Sequence, residues 1–172
     1  MCDNWAALDP AQPALIHETA TDTSLASPSV SSGGEAIRQI RLAQSPQTAF
    51  AHIAAFKAGA FSVPLFALFG EEALEYRLPD SGASVLVTDT GGARKIAVLR
   101  QKLPALVTVL VTDSDSGVTA VEGTENFDDA IDAESEAFEP GETNADDPEV
   151  IIYTSGTTGK PKGALHAHPF CW

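Results

Sequence analysis

No lysine, arginine or histidine occurs between residues 103 and 159, and fourteen of the twenty-four acidic residues lie between positions 113 and 149. The other ten acids are matched by ten Lys and Arg, so the net charge of −14 is confined to one stretch. A chain without a basic patch is not expected to bind nucleic acid. The acidic run reads as a solvated face, and its spacing matches no metal-binding pattern. Cysteine is equally sparse. Cys2 and Cys171 sit at opposite ends, which excludes a disulfide framework and a cysteine metal site and points to a reducing cytoplasm. No run approaches the ~20 apolar residues that a membrane span needs. The first residues include Asp3 and lack a basic-then-apolar export signal.

What is present is enough for one domain. The chain has 172 residues, of which 44% are hydrophobic, so a buried core is affordable in length and composition. Ser45-Pro46 has the form of a helix start, with serine as N-cap and proline at the first helical position. Phe50, Ile53, Ala54 and Ala58 follow at helical spacing, and Gly59 supplies the stop. Residues 61–66 read as a short strand. Residues 71–78 read as a second helix, with Glu71 and Glu72 favourable at its N-terminus and Pro79 ending or kinking it. Strand 84–88, helix 93–102 and strand 107–112 continue the alternation. A weaker helix over 125–135 and a polar loop over 141–148 precede a strand over 150–153. Strands alternating with helices predict an α/β fold with a mostly parallel sheet flanked by helices.

The last of these strands runs into Tyr153-Thr-Ser-Gly-Thr-Thr-Gly-Lys-Pro-Lys-Gly163. Residues 154–163 hold four hydroxyl side chains, three glycines and two lysines. Glycines bring backbone N–H groups close to a ligand, and N–H groups, hydroxyls and ammoniums together suit phosphate oxygens. The spacing is not that of a Walker A loop, which needs Gly-x-x-x-x-Gly-Lys-[Ser/Thr]; here Gly156 and Gly159 are closer and Pro161 follows Lys160. The plainer alternative is a solvated hairpin turn. A loop leaving the carboxyl end of a parallel strand is where open α/β sheets bind ligands.

Residues 153–163 resemble the signature loop of the adenylate-forming, AMP-dependent synthetase and ligase family, which includes acyl-CoA synthetases, luciferases and peptide-synthesising adenylation domains. Other stretches agree. Trp5-Ala-Ala-Leu-Asp-Pro-Ala-Gln-Pro-Ala-Leu-Ile16 resembles the start of such enzymes. Ala51-His-Ile-Ala-Ala-Phe-Lys-Ala-Gly-Ala60, Val63-Pro-Leu-Phe66 and Gly70-Glu-Glu-Ala-Leu-Glu-Tyr-Arg-Leu78 resemble their next helix, strand and helix. The nearest flavour is bacterial acetyl- and acyl-CoA synthetases. The resemblance implies a partial N-terminal adenylation domain, over 1–18 and 44–172, without the family's C-terminal domain. Residues 19–43 depart from the pattern. Eight of the fourteen residues at 19–32 are Ser or Thr, and residues 33–42 are only a loose counterpart of the expected strand entry. A deletion or frame change is expected there.

The same resemblance implies a phosphate site for ATP. Thr154, Ser155, Thr157 and Thr158 would offer hydroxyls; Gly156, Gly159 and Gly163 would give backbone access; Lys160 and Lys162 would supply charge, with Lys160 ranked first. The family carries a histidine soon after the loop, which makes His168 a candidate. His166 and His168 as His-x-His would share a face if extended, but no third metal ligand is near. His17 and His52 read as structural. The implied activity is AMP-forming acid–CoA ligation with ATP, Mg2+ and coenzyme A, acting on a small-molecule carboxylic acid whose identity and chain length the sequence leaves open. The chain alone is expected to be inactive. The competing readings are a fragment of an amino-acid or aryl-acid adenylating domain, and a non-catalytic product of a truncated gene.

The Ser/Thr tract generates a first prediction. Its composition buries too little apolar surface to offset ordering entropy, so amides of residues 19–32 should exchange with solvent at nearly unprotected rates. Strong protection across the tract would overturn that expectation.

Overall fold

The computed structural model describes residues 37–41, 45–115, 117, 119, 121–134, 137–154 and 160–167. The readings made for residues 1–36, including the Ser/Thr tract, Trp5 and His17, lie outside the described residues, as do both cysteines.

Strand β1 (Ile37–Arg41) supplies a definite strand where the sequence offers only a loose entry. Helix α1 (Pro46–Lys57) begins as its sequence dictates. The Ser45 side chain accepts from the Thr48 N–H at 3.3 Å, Pro46 takes the first turn, and Gly59 follows the end at φ 64°, a left-handed conformation open to glycine. Then come β2 (Phe61–Pro64), α2 (Glu71–Ser81) and β3 (Val85–Thr88). Helix α3 (Thr90–Leu99) is extended by a 3-10 turn, Arg100–Lys102, and is followed by β4 (Thr108–Val111). The two-residue β5 (Glu125–Asn126) leads into α4 (Phe127–Asp132). The long β6 (Pro148–Thr154) and β7 (Lys162–Ala167) close the order.

Strand ends shift by one or two residues from the sequence pattern, and three helix boundaries differ for a visible reason. Helix α2 passes through Pro79 instead of ending before it. Proline removes the N–H that would reach the carbonyl four residues back, here that of Glu75, a residue on the exposed side of the helix. The Ser81 hydroxyl meanwhile donates to the carbonyls of Arg77 and Leu78 at 2.8 and 3.2 Å. Helix α3 starts three residues earlier than its apolar pattern because Asp89 caps it, accepting from the Gly92 N–H. The 125–135 stretch splits because Asn126 pairs as a strand residue and also caps α4 through the Asp129 N–H at 2.8 Å.

The seven strands form one sheet in the order β5-β4-β3-β1-β2-β6-β7. Every pairing is parallel except β6 with β7. The chain leaves β1 for β2 on one side and then crosses back to β3 on the other. Parallel crossovers share a right hand, so these two connections must lie on opposite faces. The packing agrees. Leu74 and Leu78 of α2 and Ile96 and Leu99 of α3 pack on Val63, Leu86 and Val109. Ala51 of α1 and Phe127 of α4 pack on Ile40, Val87 and Leu110 of the other face. Successive residues of a strand face opposite ways, which is why all four residues of β3 are buried. No described helix is long and apolar enough to cross a membrane.

His52 joins α1 to this sheet. Its Nδ1 lies 2.6 Å from the hydroxyl of Ser62, which is wholly buried in β2. Burial pushes the His52 pKa below its ordinary 6.5. The folded state therefore holds the neutral ring while the unfolded chain takes up a proton first, and stability falls as pH drops below about 6.5. Urea midpoints measured from pH 7 to pH 5 should decline less steeply in His52→Asn than in wild type. Identical slopes would remove His52 from the acid response.

Candidate functional site

The loop after β6 is the turn of a β-hairpin. Thr154 pairs with Lys162 and Tyr153 with Gly163, so residues 155–161 span the gap between two hydrogen-bonded stems. The hairpin occupies one end of the sheet, and β6 is parallel to β2, next to the central β1. The loop thus leaves the carboxyl edge of the parallel sheet, beside the strands where the chain reverses its direction of travel. Open α/β sheets hold ligands at the carboxyl ends of their strands near such a reversal, which here lies at β1, two strands from β6.

Among the residues expected to touch phosphate, Thr154, Lys160, Lys162 and Gly163 are described. Thr154 and both lysines are exposed. Thr154 and Lys162 share one face of the ladder as a cross-strand pair, and Lys160 lies at the other end of the loop from Thr154. Ser155, Gly156, Thr157, Thr158, Gly159 and His168 lie outside the described residues. His166 pairs with Val150 in the ladder and is half-buried.

Gly163 has a packing role besides any approach to a ligand. A Cβ at this position would sit 2.9 Å from Cγ2 of Ile151 and 3.5 Å from the Tyr153 ring. The two side chains on β6 occupy the space over the glycine. The absence of a side chain at position 163 lets the strands pair in this register without displacing Ile151.

The stem that enters the loop is tied to α2. The Tyr153 hydroxyl donates to the Asp80 carboxylate at 2.7 Å and lies 3.4 Å from the Arg77 carbonyl. Burial, with the acceptor and charge of Asp80, pushes the Tyr153 phenol well above its ordinary value. The Arg77 guanidinium stacks 4.3 Å from the Phe69 ring centroid and 5.6 Å from that of Tyr153. Lys95 of α3 donates to the Phe69 carbonyl at 3.0 Å. The far end of the loop reaches the same helix just before β7 begins, with Lys160 Nζ 5.3 Å from the Tyr76 ring centroid. Cations over aromatic faces at such distances are attracted by the ring quadrupole.

Sequence reasoning missed Tyr76, Arg77 and Asp80. One signal was available. Leu74, Leu78 and Ser81 mark the buried face of α2, and Arg77 falls on it at helical spacing. A charged residue on an apolar helical face needs a partner, and the stacked rings of Phe69 and Tyr153 provide one.

The model of the AMP-binding enzyme family matches residues 39–170. The acetyl-coenzyme A synthetase of Bacillus subtilis (strain 168) is 37% identical over 131 residues, which cover 75% of this chain and 22% of that protein. That of Parvibaculum lavamentivorans (strain DS-1 / DSM 13023 / NCIMB 13966) is 36% identical over 132 residues, 70% of this chain and 20% of that protein. The chain thus spans about a fifth of the length of these curated relatives. Among solved structures, the anthranilate CoA ligase AuaEII in complex with anthranoyl-AMP superposes with a TM-score of 0.71 at 28% identity, over 77% of this chain and 25% of that one.

The glycine contact sets a test of the hairpin. Overpacking a filled site costs ~1–3 kcal/mol, so Gly163→Ala should lower unfolding stability by that amount. Ile151→Ala, which removes the obstructing methyl, should absorb most of the loss in the double variant. Additive effects of the two substitutions would show that Ile151 does not limit position 163.

Proposed function

The chain belongs to the AMP-binding enzyme family, and on that premise we propose that it carries the phosphate-binding part of an AMP-forming acid–coenzyme A ligase. In the reaction proposed for an enzyme of the relatives' full length, a carboxylate oxygen attacks the α-phosphorus of ATP. The bond from that phosphorus to the bridging oxygen breaks, its electron pair leaves with pyrophosphate, and an acyl-adenylate forms. The thiol of coenzyme A, losing its proton, then bonds to the acyl carbon and AMP departs. The names of the relatives favour a short carboxylate as the acid. The aromatic acid named for the anthranilate ligase is the competing class, with lower identity to this chain, 28% against 37%. Two cysteines set far apart fit a reducing, cytoplasmic setting.

The observation that carries the proposal is the position of the loop. It hangs between two ladder-locked stems at the carboxyl edge of the sheet, with the Thr154 hydroxyl and the Lys160 ammonium exposed at its two ends. The intervening sequence, Ser155-Gly-Thr-Thr-Gly159, supplies further hydroxyls and unobstructed N–H groups. Charge accumulates on the bridging oxygen as pyrophosphate leaves. Fixed donors aimed at that charge lower the barrier because they need not reorganise during reaction. Lys160 meets that need as a point charge, and Lys162, set in the ladder, serves as a second. His168 is placed on the acid side of the reacting phosphorus in this reading. Magnesium fits less directly. Among the described residues no group of three His, Cys, Asp or Glu is placed to hold a metal, and no step is derived through that ion.

The experiment separates the two half-reactions in an enzyme completed to the length of its relatives. One charge-assisted contact is worth ~1.5–3 kcal/mol, roughly ten- to a hundred-fold in rate when made mainly in the transition state. Lys160→Ala should slow acyl-adenylate formation by that factor. Thioester formation from supplied acyl-adenylate should change far less, since pyrophosphate has already left. Equal losses in both steps, or none in the first, would show that Lys160 does not serve the phosphates.

A further inference from the structure

The entering stem and the far end of the loop both meet α2. Tyr76 and Asp80 are four residues apart on α2 and therefore neighbours on its surface. Asp80 accepts from the Tyr153 hydroxyl at 2.7 Å on the entering stem. Tyr76 lies under the Lys160 ammonium at 5.3 Å, at the far end of the loop. Arg77, between them in sequence, stacks on Tyr153 and on Phe69, and Phe69 is fixed in turn by Lys95 of α3. Backbone pairing alone would fix where the stems lie, but not where the long Lys160 side chain points, because its four-carbon stem has several rotatable bonds. A lysine that is free to rotate loses rotamer entropy when it binds an anion.

The geometry points to α2 as the positioning element of the phosphate loop: Tyr76 aims the Lys160 ammonium and Asp80 anchors the stem through Tyr153, so that the cation is held before the polyphosphate arrives. This inference rests on the phosphate-loop reading above and adds the residues that would set its geometry. Tyr76 touches no reacting atom. It acts through Lys160, whose three N–H donors leave room to face both the ring and an anion. Asp80 also touches no ligand and acts through the Tyr153 hydroxyl. An aromatic face is the feature required at 76, and an oxygen acceptor is the feature required at 80. Tyr76→Phe should therefore keep the function that Tyr76→Leu loses, and Asp80→Asn should keep what Asp80→Ala loses.

The test uses the 172-residue chain with two readouts. The first is the proton chemical shift of the Lys160 ε-methylene, assigned by its disappearance in Lys160→Arg. A ring beneath the ammonium displaces that signal upfield. Displacement is expected in wild type and in Tyr76→Phe, with return to the ordinary lysine position in Tyr76→Leu. The second readout is affinity for inorganic tripolyphosphate by calorimetry. An exposed cation–π contact is worth ~0.5–1 kcal/mol, or roughly two- to five-fold in affinity. Tyr76→Leu should bind that much more weakly, Tyr76→Phe like wild type, Asp80→Ala more weakly and Asp80→Asn nearly like wild type. An undisplaced Lys160 signal in the wild-type chain overturns the inference. So does a displaced signal with affinity unchanged by both Tyr76→Leu and Asp80→Ala, since α2 would then pack beside the loop without aiming it. A displaced signal that follows Tyr76 in a wild-type chain with no tripolyphosphate affinity overturns the phosphate reading while supporting the hold of α2 on Lys160.

Discussion

One hand of crossover governs where everything in this molecule lies. Parallel strands joined through a helix turn the same way at every step. The chain moves from β1 to β2 in one direction and from β2 to β3 in the other, so α1 and α2 cannot share a face of the sheet. β1 is left between β2 and β3, at the centre of the seven-strand order. Two apolar cores follow, one on each face, and each internal strand must contribute alternate side chains to both. The reversal opens the carboxyl edge of the sheet at β1, two strands from β6. The loop is thus placed by topology before any of its own residues are considered.

Local chemistry then refines that placement. β6 is the longest strand and carries the loop on its end. Its partner β7 runs antiparallel and returns the chain along the same edge. The face of β6 bearing Ile151 and Tyr153 lies against the core beneath α2. This arrangement brings a helix with three polar or charged side chains, at positions 76, 77 and 80, within reach of the entering stem and the far end of the loop. The α2 contacts combine a neutral hydroxyl donating to a carboxylate with cations over aromatic rings. None requires a fully buried unpaired charge, the costliest way to fix a geometry in a protein interior.

The sequence made the α/β alternation legible because the helices carry their own start and stop chemistry. Ser45, Pro46 and Gly59 bracket α1 as their types require. The elements that were misplaced depend on partners distant in sequence. Pro79 is tolerated because the carbonyl it orphans belongs to a residue on the exposed side of the helix and Ser81 satisfies others nearby. Asn126 changes from strand residue to helix cap within one position, and its side-chain amide also donates to the Ser114 carbonyl at 2.8 Å. The loop itself was visible as a cluster of glycines, hydroxyls and lysines. The residues that hold its two ends were not, because an i, i+4 pair such as Tyr76 and Asp80 looks like any solvated pair until β6 is laid beside it. Gly163 was read as giving access to a ligand, and the ladder adds a second requirement on the same atom position.

That requirement makes the sheet a ruler for the loop. Side chains alternate along a strand with a period of two, so sliding β7 by one residue against β6 would bring a residue with a Cβ opposite Tyr153 and under Ile151. Whichever way it runs, the slide sets a Cβ into the space that Gly163 leaves open and carries the cost of overpacking it. The ladder therefore opposes absorbing a residue gained or lost among positions 155–161 by re-pairing the strands. The hairpin thus guards the length of its own turn, and a change of one residue there falls on the connection between Thr154 and Lys160 rather than on the sheet that carries it.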